Sequence, residues 1–411
     1  MTSQVSAGEK DALRRLGDEI ARIGNLPQQA QTAELWRKLN DRCAERPVVY
    51  INEEPWPELE DESLRCVCEN RFLRSVEKSL RRSLYRWNYG VDNVILPVVD
   101  CPLSWSSTGI GISQKGDFIH HTAVASQHFT PQIKSMEDVE KIRTPEVSYN
   151  AAETDRRMEL FEEMFAGIVP VRPAGIRHIW FTPWDNLIRL VDIEGIMMDL
   201  IDRPEFIEAM VSRYVDAKMH ELDQIENLGL LDAGALNVRV GSGGYGYTSQ
   251  LPSESGRDDN LTCADLWGCG NAQMFSDVSP EMHWRFSLNE EMRWLARWGM
   301  TYYGCCEPLH GKIGMLKRIP NLRKISVSPW FDIPAGLEHG AGEYVLSVKP
   351  SPAILAEDRF DEDRARKDIR LLLDQAEQCQ VELVMKDIST VRNDPARLKR
   401  WAAIAMEEVT R

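Results

Sequence analysis

Short apolar segments alternate with amphipathic helical segments from about residue 90 to the end of this 411-residue chain. Eight or nine of the apolar segments are typical of strands, among them residues 94–99, 176–181, 236–240, 302–304, 324–327, 343–348 and 381–385. Continuous apolar runs favour strands buried on both faces of a parallel sheet, with helices as the crossover connections. Because no long linker interrupts the pattern, it predicts one (β/α)8 TIM barrel over residues 46–411. A doubly wound open sheet is the alternative, although no GxGxxG or P-loop motif follows a strand candidate.

The first 45 residues are charged and carry apolar residues at helical spacing. They predict two helices, over residues 9–24 and 29–45. We expect these helices to form an N-terminal helical extension, residues 1–45, that precedes the barrel domain.

The composition excludes several classes of partner. A net charge of −15 argues against binding to nucleic acid and favours a metabolic protein or one that docks on a basic partner. No uninterrupted apolar stretch is long enough to span a membrane, and no apolar segment of the signal-peptide type follows Met1. The nine cysteines are irregularly spaced, which is typical of reduced thiols. These features together predict a cytoplasmic protein.

Two thiols, a carboxylate and an imidazole follow a predicted strand within six residues, at Cys305, Cys306, Glu307 and His310. Such side chains at a strand end can bind zinc and leave one coordination position open for chemistry. The alternative is that the cysteines are small buried core residues. If the strand continues through both cysteines, their side chains point in opposite directions, and only one of them is a ligand.

The active site of a TIM barrel lies at the carboxyl ends of its strands. Polar residues predicted at those ends include Asp265, which is a candidate general base or metal ligand, and Lys349 and Lys386, which are candidate anchors for an anionic substrate. Alternatively, neighbouring backbone N–H groups satisfy Asp265, and the two lysines pair with Asp265 and Asp387 inside the barrel. His121 is a candidate acid–base residue, with a surface position as its alternative.

Several aromatic residues stand at or just past predicted strand ends, where they could line an apolar substrate pocket. These residues are Trp180, Trp184, Trp267 and Trp330. Tyr245 lies in a glycine-rich loop, residues 241–247. This loop is either a lid over the active site, with aromatic contacts to the substrate, or a simple connector.

From about residue 90 onward, the chain resembles the uroporphyrinogen decarboxylase-like superfamily. DLWG at residues 265–268 and SPEM at residues 279–282 are similar to an acidic strand end and a helix start of that superfamily. YGC at residues 303–305 lies where the corrinoid-dependent methyltransferase branch carries a zinc-binding His-x-Cys. SVKPSP at residues 347–352 resembles a strand-end turn that reads GN-x-P in relatives.

The resemblance implies a TIM barrel and one of two activities. True uroporphyrinogen decarboxylases carry an arginine-rich motif after the first strand, but residues 52–56 here read NEEPW and would repel a polyanion. The methyltransferase branch is therefore favoured. It implies that zinc activates a small methylated substrate, such as a methyl ether (an O-demethylation), methylamine or thiol. The methyl group then moves between this substrate and cobalamin on a separate corrinoid protein.

The match to the methyltransferase branch departs in two places. Tyr303 replaces the histidine of His-x-Cys, and Lys386-Asp387 stands where a later cysteine is expected. Two alternatives therefore stay open: a decarboxylase of another carboxylated substrate, in which Asp265 stabilises a cationic intermediate, and a ligand-binding barrel without chemistry. The methyl donor, the direction of transfer and the oligomeric state are not determined, and a homodimer is one alternative.

Overall fold

The computed structural model describes residues 5–119, 126–252 and 261–411. The strands are β1 (Val48–Ile51), β2 (Val99–Pro102), β3 (Trp105–Ser107), β4 (Gly116–Ile119), β5 (Ser126–Phe129), β6 (Val147–Tyr149), β7 (Val171–Ala174), β8 (Trp267–Gly270), β9 (Met300–Tyr303), β10 (Leu322–Val327), β11 (Val345–Val348) and β12 (Gln380–Met385). The helices are α1 (Ala7–Gly24), α2 (Pro27–Asn40), α3 (Arg71–Trp87), α4 (Met136–Val139), α5 (Ala151–Phe165), α6 (Pro183–Leu187), α7 (Ile193–Asp202), α8 (Pro204–Asn227), α9 (Pro280–His283), α10 (Asn289–Leu295), α11 (Ile313–Leu316), α12 (Ile333–Glu338), α13 (Ala353–Ala356), α14 (Glu362–Gln375) and α15 (Ala396–Val409).

A six-stranded parallel sheet forms the centre of the molecule, in the order β1-β12-β11-β10-β9-β8. β2 and β7 form a separate parallel pair, and a single parallel bridge joins Ile176 to Leu231. The pairs β3–β6 and β4–β5 are antiparallel. The mixed α/β class and the parallel sheet are confirmed. Closure into a barrel is not shown, because β1 and β8 are the edges of the six-stranded sheet in the described part of the chain.

The predicted strands of the middle third differ from the structure. Residues 94–99 become a strand only at Val99, because Pro97 cannot donate to a sheet and restricts the residue before it. Residues 176–181 and 236–240 contribute only isolated bridges. Strand β7 was missed because its sequence, VRPA, lacks a continuous apolar run.

Side chains along the strands of the six-stranded sheet alternate between two faces, as the period of two requires, apart from a register shift between Leu322 and Lys324 on β10. One face carries apolar residues such as Ile325, Leu346 and Leu383, which pack with the surrounding helices in the main hydrophobic cluster. The other face carries buried polar residues, among them Lys324 and Glu382, and we call this face the polar interior or sheet interior. This polar interior leads to the carboxyl ends of the strands.

The two predicted N-terminal helices are present, although α2 ends at Asn40, before the predicted end at residue 45. α1 packs on α3 and α5 in a hydrophobic cluster of its own. α2 inserts the fully buried Trp36 against Tyr50 and Tyr245, with ring centroids 6.1 and 5.4 Å apart. The domain boundary at residue 45 stays a prediction. Within the described ranges, no helix combines the length and the apolar character needed to cross a membrane.

Candidate active site at the carboxyl ends of the strands

The parallel strands bring four polar residues to the same edge of the sheet. Glu53 follows β1, Cys305 follows β9, Lys349 follows β11 and Lys386 follows β12. All four were predicted at strand ends, and the order of the strands places them around one space. This edge is where α/β proteins with parallel sheets build their active sites.

A turn at Gly304 brings the two adjacent thiols together. Strand β9 ends at Tyr303, and Gly304 has a φ of +99°, a conformation that L-residues with side chains rarely adopt. A Cβ at this position would lie 2.5 Å from Leu309 Cδ1 and 2.9 Å from the Ser326 Cβ. Because the strand has ended, the thiols do not point in opposite directions. The Sγ atoms of Cys305 and Cys306 are 3.7 Å apart.

The Cys305 thiol is held close to a cation. Lys386 Nζ lies 3.3 Å from Cys305 Sγ. The pKa of Cys305 falls to about 7, chiefly because Cys306 donates a hydrogen bond to its thiolate, with a further contribution from the charge of Lys386. The same hydrogen bond raises the pKa of Cys306, whose Sγ lies 3.7 Å from Asp387 Oδ2. Cys305 therefore exchanges its proton near neutral pH, whereas Cys306 stays a thiol.

Lys386 is the centre of an ion-pair network at this edge. Its Nζ is 3.0 Å from Asp387 Oδ2 and 3.6 Å from Glu53 Oε2, and Glu53 Oε1 is 2.7 Å from Arg239 Nη2. Burial lowers the pKa of Lys386, but the negative charges of Cys305, Glu53 and Asp387 outweigh burial and raise it. Lys386 is therefore an ammonium at neutral pH. The predicted pairing of Lys386 with Asp387 is confirmed.

Lys349 lies in the sheet interior without the predicted carboxylate. Its Nζ lies 2.9 Å from Ser326 Oγ, 2.9 Å from the Ser347 carbonyl oxygen and 3.0 Å from Ser347 Oγ, and it also bonds the Tyr302 hydroxyl. Burial and, to a smaller extent, the positive charge of Lys386 together lower the pKa of Lys349 to about 7. The predicted pairing of Lys349 with Asp265 or Asp387 is wrong, because neutral oxygens surround the amine instead.

The four predicted zinc ligands do not converge on one point. Both carboxylate oxygens of the buried Glu307 accept backbone N–H groups, Oε2 from Cys305 at 2.8 Å and Oε1 from Ala272 at 3.2 Å. His310 Nδ1 accepts the N–H of Asp332 at 3.2 Å. Across residues 5–119, 126–252 and 261–411, no group of three or more His, Cys, Asp and Glu side chains could hold a metal ion. These residues do not fit the predicted zinc site, and we derive no reaction step from zinc.

Tyr303 stands where the family resemblance would place a zinc-binding histidine. It belongs to the outward face of β9 and packs in the main hydrophobic cluster. Its hydroxyl lies 2.9 Å from His283 Nε2. Position 303 therefore faces the helices, on the opposite side of the strand from Tyr302 and Lys349.

Asp265 lies at the other end of the sheet. It comes two residues before β8, whereas the sequence predicted it after a strand, and this placement was wrong. Its Oδ2 accepts the backbone N–H and the hydroxyl of Thr262, both at 2.9 Å, in a capping box. The alternative, a carboxylate bonded by neighbouring backbone groups, is the arrangement observed. His121, the other predicted catalytic residue, lies outside the described residues and stays a prediction.

The predicted aromatic residues are spread over several environments. Trp184 and Trp267 are fully buried, and each indole N–H donates to a backbone carbonyl, of Phe286 at 3.0 Å and of Gly246 at 2.8 Å. Tyr245 packs between Trp36 and Tyr50 (see above). These three contribute to the core. Only two of the predicted set are exposed: Trp180 at 42% and Trp330, just past β10, at 69%.

Sequence reasoning missed several residues of the polar interior. Tyr302, Ser326 and Ser347 all contact Lys349, and Arg239 pairs with Glu53. Strand periodicity carried a signal for Ser347, which stands two residues before Lys349 and therefore shares its face. Arg239 carried none, because it reaches the edge from a loop.

Comparisons with known proteins add little to this geometry. No protein-family model matches the chain, and no curated protein sequence matches it. Among solved structures, the chain is similar to a methyltransferase from Methanosarcina mazei, with a TM-score of 0.48 and 13% sequence identity over 91% of this chain and 97% of that one. A likeness this distant carries no argument about function, which has to rest on the residues themselves.

Proposed function

We propose that the protein is a methyltransferase whose reaction takes place at the edge formed by Cys305, Lys386 and Asp387. The observation that carries the proposal is the 3.3 Å contact between Lys386 Nζ and Cys305 Sγ. A general acid–base group works best when its pKa lies near the working pH, and the Cys305 thiol meets this condition. The sequence resemblance to corrinoid-dependent methyltransferases supplies the reaction class.

In this proposal, Cys305 handles the proton of the heteroatom that carries the methyl group. During demethylation, an acceptor outside this chain supplies the electron pair for a new bond to the methyl carbon, and the bond between the methyl carbon and the heteroatom breaks with its electron pair left on the heteroatom. The proton of Cys305 Sγ moves to that heteroatom, and Lys386 stabilises the thiolate that remains. During methylation, the Cys305 thiolate removes the proton from the heteroatom, which then attacks the methyl carbon, and the methyl donor leaves with the electron pair of the bond that breaks.

A corrinoid on a separate protein is the proposed methyl partner, since its cobalt can give up or take a methyl group. Trp330 follows the carboxyl end of β10 and is exposed, so it offers apolar surface for a partner on this side. The net charge of −15 predicts that docking on a basic partner weakens as salt is added. The decarboxylase alternative in its predicted form loses support, because Asp265 caps a turn at the opposite end.

The experiment measures methyl transfer between free cobalamin and a panel of methyl ethers, methylamines and thiols, followed by the absorption change of the cobalamin. We expect the turnover rate of the Cys305→Ala variant to fall by about a hundredfold or more, which is the usual contribution of a general acid or base to the rate. Cys263→Ala is the matched control, because Cys263 is a buried thiol that contacts Glu226 elsewhere in the fold.

Two results would contradict the proposal. Turnover of the Cys305→Ala variant at the rate of the control would remove Cys305 from the chemistry. Failure of every methyl donor and acceptor in the panel, with folded protein whose Cys305 titrates near neutral pH, would leave the acid–base pair in place and overturn methyl transfer as its task.

A further inference from the structure

Two fully buried lysines on neighbouring strands have opposite surroundings. Lys324 on β10 bonds the carboxylate of Glu382 at 2.8 Å, and both side chains are completely buried. Lys349 follows β11, and the hydrogen-bond partners of its Nζ among the described residues are hydroxyls and one carbonyl. Burial without a bonded carboxylate disfavours the ammonium form, so the two amines differ in chemistry.

The second cation, Lys386, increases this difference. In the strand register, Val348 pairs with Leu383, so Lys349 is level with Val384. Lys386 follows Val384 by two residues on the same face, and it therefore lies nearer to the open edge than Lys349. The positive charge of Lys386 and burial together bring the pKa of Lys349 to about 7. An amine with this pKa is neutral in a large share of molecules at physiological pH, and only the neutral amine is a nucleophile. The titratable or charged groups that face Lys349 are Tyr302, Cys305, Glu382, Lys386 and Arg239.

We propose that Lys349 is a nucleophilic amine that forms an imine with a small oxo acid. The Nζ lone pair attacks the carbonyl carbon to give a carbinolamine. The former carbonyl oxygen then leaves as water, and a C=N bond replaces the C=O bond. Tyr302 and Ser326 contact Nζ, and their hydroxyl groups can donate to that oxygen and accept from the amine during these steps.

The surroundings of Lys349 select the class of carbonyl compound. Lys386 and Arg239 lie at the open edge, where their partners Asp387 and Glu53 are partly exposed, so a carboxylate on the ligand can replace one of these anions beside a cation. Lys349 is only 4% exposed, which limits the ligand to a small molecule. With a 3-oxo acid, the C1–C2 bond of the protonated imine can break so that CO2 leaves and the electron pair of that bond forms the C2=C3 bond of an enamine. This activity goes beyond the proposed methyl transfer and does not depend on it.

The test is reductive trapping of the whole folded protein with pyruvate and cyanoborohydride near neutral pH, followed by peptide mass analysis. We expect the reduced adduct on Lys349 to form about tenfold faster than on Lys324 or Lys386, because each of these two amines is bonded to a carboxylate that favours its ammonium form. All three lysines are measured in the same wild-type sample, so the comparison does not depend on whether a variant folds.

Variants separate the possible outcomes. Lys349→Arg keeps a long side chain with N–H donors but cannot form an imine, and we expect it to lose this adduct alone. Cys305→Ala, which tests methyl transfer, should keep the adduct, so the two proposals can fail separately. Adducts confined to exposed lysines such as Lys317, with Lys349 unmodified, would overturn the proposal, as would equal labelling of Lys324 and Lys349.

Discussion

Buried lysines occur in two regions of the sheet interior: its amino-terminal half, around Lys324, and its carboxyl-end edge, around Lys349 and Lys386. The two regions differ in the partners of these lysines. In the amino-terminal half, Lys324 is matched by Glu382, and Trp36 packs near them. At the carboxyl-end edge, Lys386 contacts a thiol, and the described residues that bond Lys349 offer neutral oxygens. Each buried charge of the first region is neutralised by a direct partner, whereas the second keeps groups that titrate near neutral pH.

This difference separates structural from chemical use of buried polar groups. In the matched pair, each charge favours the ionised form of its partner: burial lowers the pKa of Lys324 and Glu382 acts against this effect, and Lys324 lowers the pKa of Glu382. Cys305 titrates near neutral pH because Cys306 and Lys386 stabilise its thiolate, and Lys349 does so because it is buried without a bonded carboxylate. Such pKa values allow proton transfer and nucleophilic attack. If the hydrogen bonds separate the two regions correctly, substitutions in the first region should change mainly stability, and substitutions in the second should change pH dependence and reactivity.

The largest effect is expected from breaking the matched pair. Glu382→Gln leaves Lys324 as a buried cation without its anion, which typically costs about 3–5 kcal/mol in the free energy of unfolding. Urea denaturation measures this cost. Asp387→Asn at the open edge is the control, and it should cost below about 1 kcal/mol because half of that side chain is exposed. Equal costs for the two variants would remove the distinction between the regions.

Next in size is the effect of pH on stability through Lys349. Its pKa is about 7 in the folded protein and about 10.4 in an unfolded chain, so the unfolded chain binds the extra proton between these values. Stability should therefore rise with pH in this window, by about 1 kcal/mol per pH unit relative to Lys349→Met. Parallel curves for wild type and variant in urea denaturation across this range would show that Lys349 stays an ammonium ion.

A smaller effect is expected on the reactivity of Cys305. Lys386→Met removes the cation beside the thiolate, so the pKa of Cys305 should rise and alkylation by iodoacetamide at neutral pH should slow by about tenfold. Lys386→Arg keeps the charge and should keep most of the rate. Alkylation of the wild type should increase through a midpoint of about pH 7. Rates that do not respond to Lys386→Met would exclude its stabilisation of the thiolate.

The smallest effect is expected from Asp265. Asp265→Ala removes the acceptor of the Thr262 capping box and should cost about 1 kcal/mol of stability. The alkylation rate of Cys305 and methyl transfer should stay unchanged, since Asp265 lies at the opposite end of β8 from the carboxyl-end edge. Loss of transfer in a stably folded variant would return Asp265 to the catalytic residues.

The sequence predicted the carboxyl-terminal half of the fold better than the middle. Strands β9 to β12 lie within two residues of their predicted positions, because each is a short apolar run between clear helical segments. In the middle third, β7 contains an arginine and a proline, and the apolar run before β2 contains Pro97. In this part of the chain, some apolar runs are not strands and one strand is not apolar, so hydrophobicity alone misplaces the strands.

The candidate site shows the same division. Their close spacing in the sequence predicted a shared role as metal ligands for Cys305, Cys306, Glu307 and His310. The three-dimensional structure separates them, because Glu307 turns back to bond backbone N–H groups and His310 turns toward Asp332. Proximity along the chain is a poor guide to ligand geometry after a strand has ended, since the directions of the side chains then depend on the turn.

The amino-acid sequence by itself determined the parallel α/β class and the polar residues that end β1, β9, β11 and β12. Local periodicity and strand termination are properties of neighbouring residues, so they can be read without a structure. Only the tertiary structure decided that Lys386 meets Cys305 from 81 residues away, that Lys349 meets Tyr302, and that Glu382 neutralises Lys324 but not Lys349. These pairings set the protonation of each group, because burial and the nearest charge, both products of long-range packing, shift its pKa.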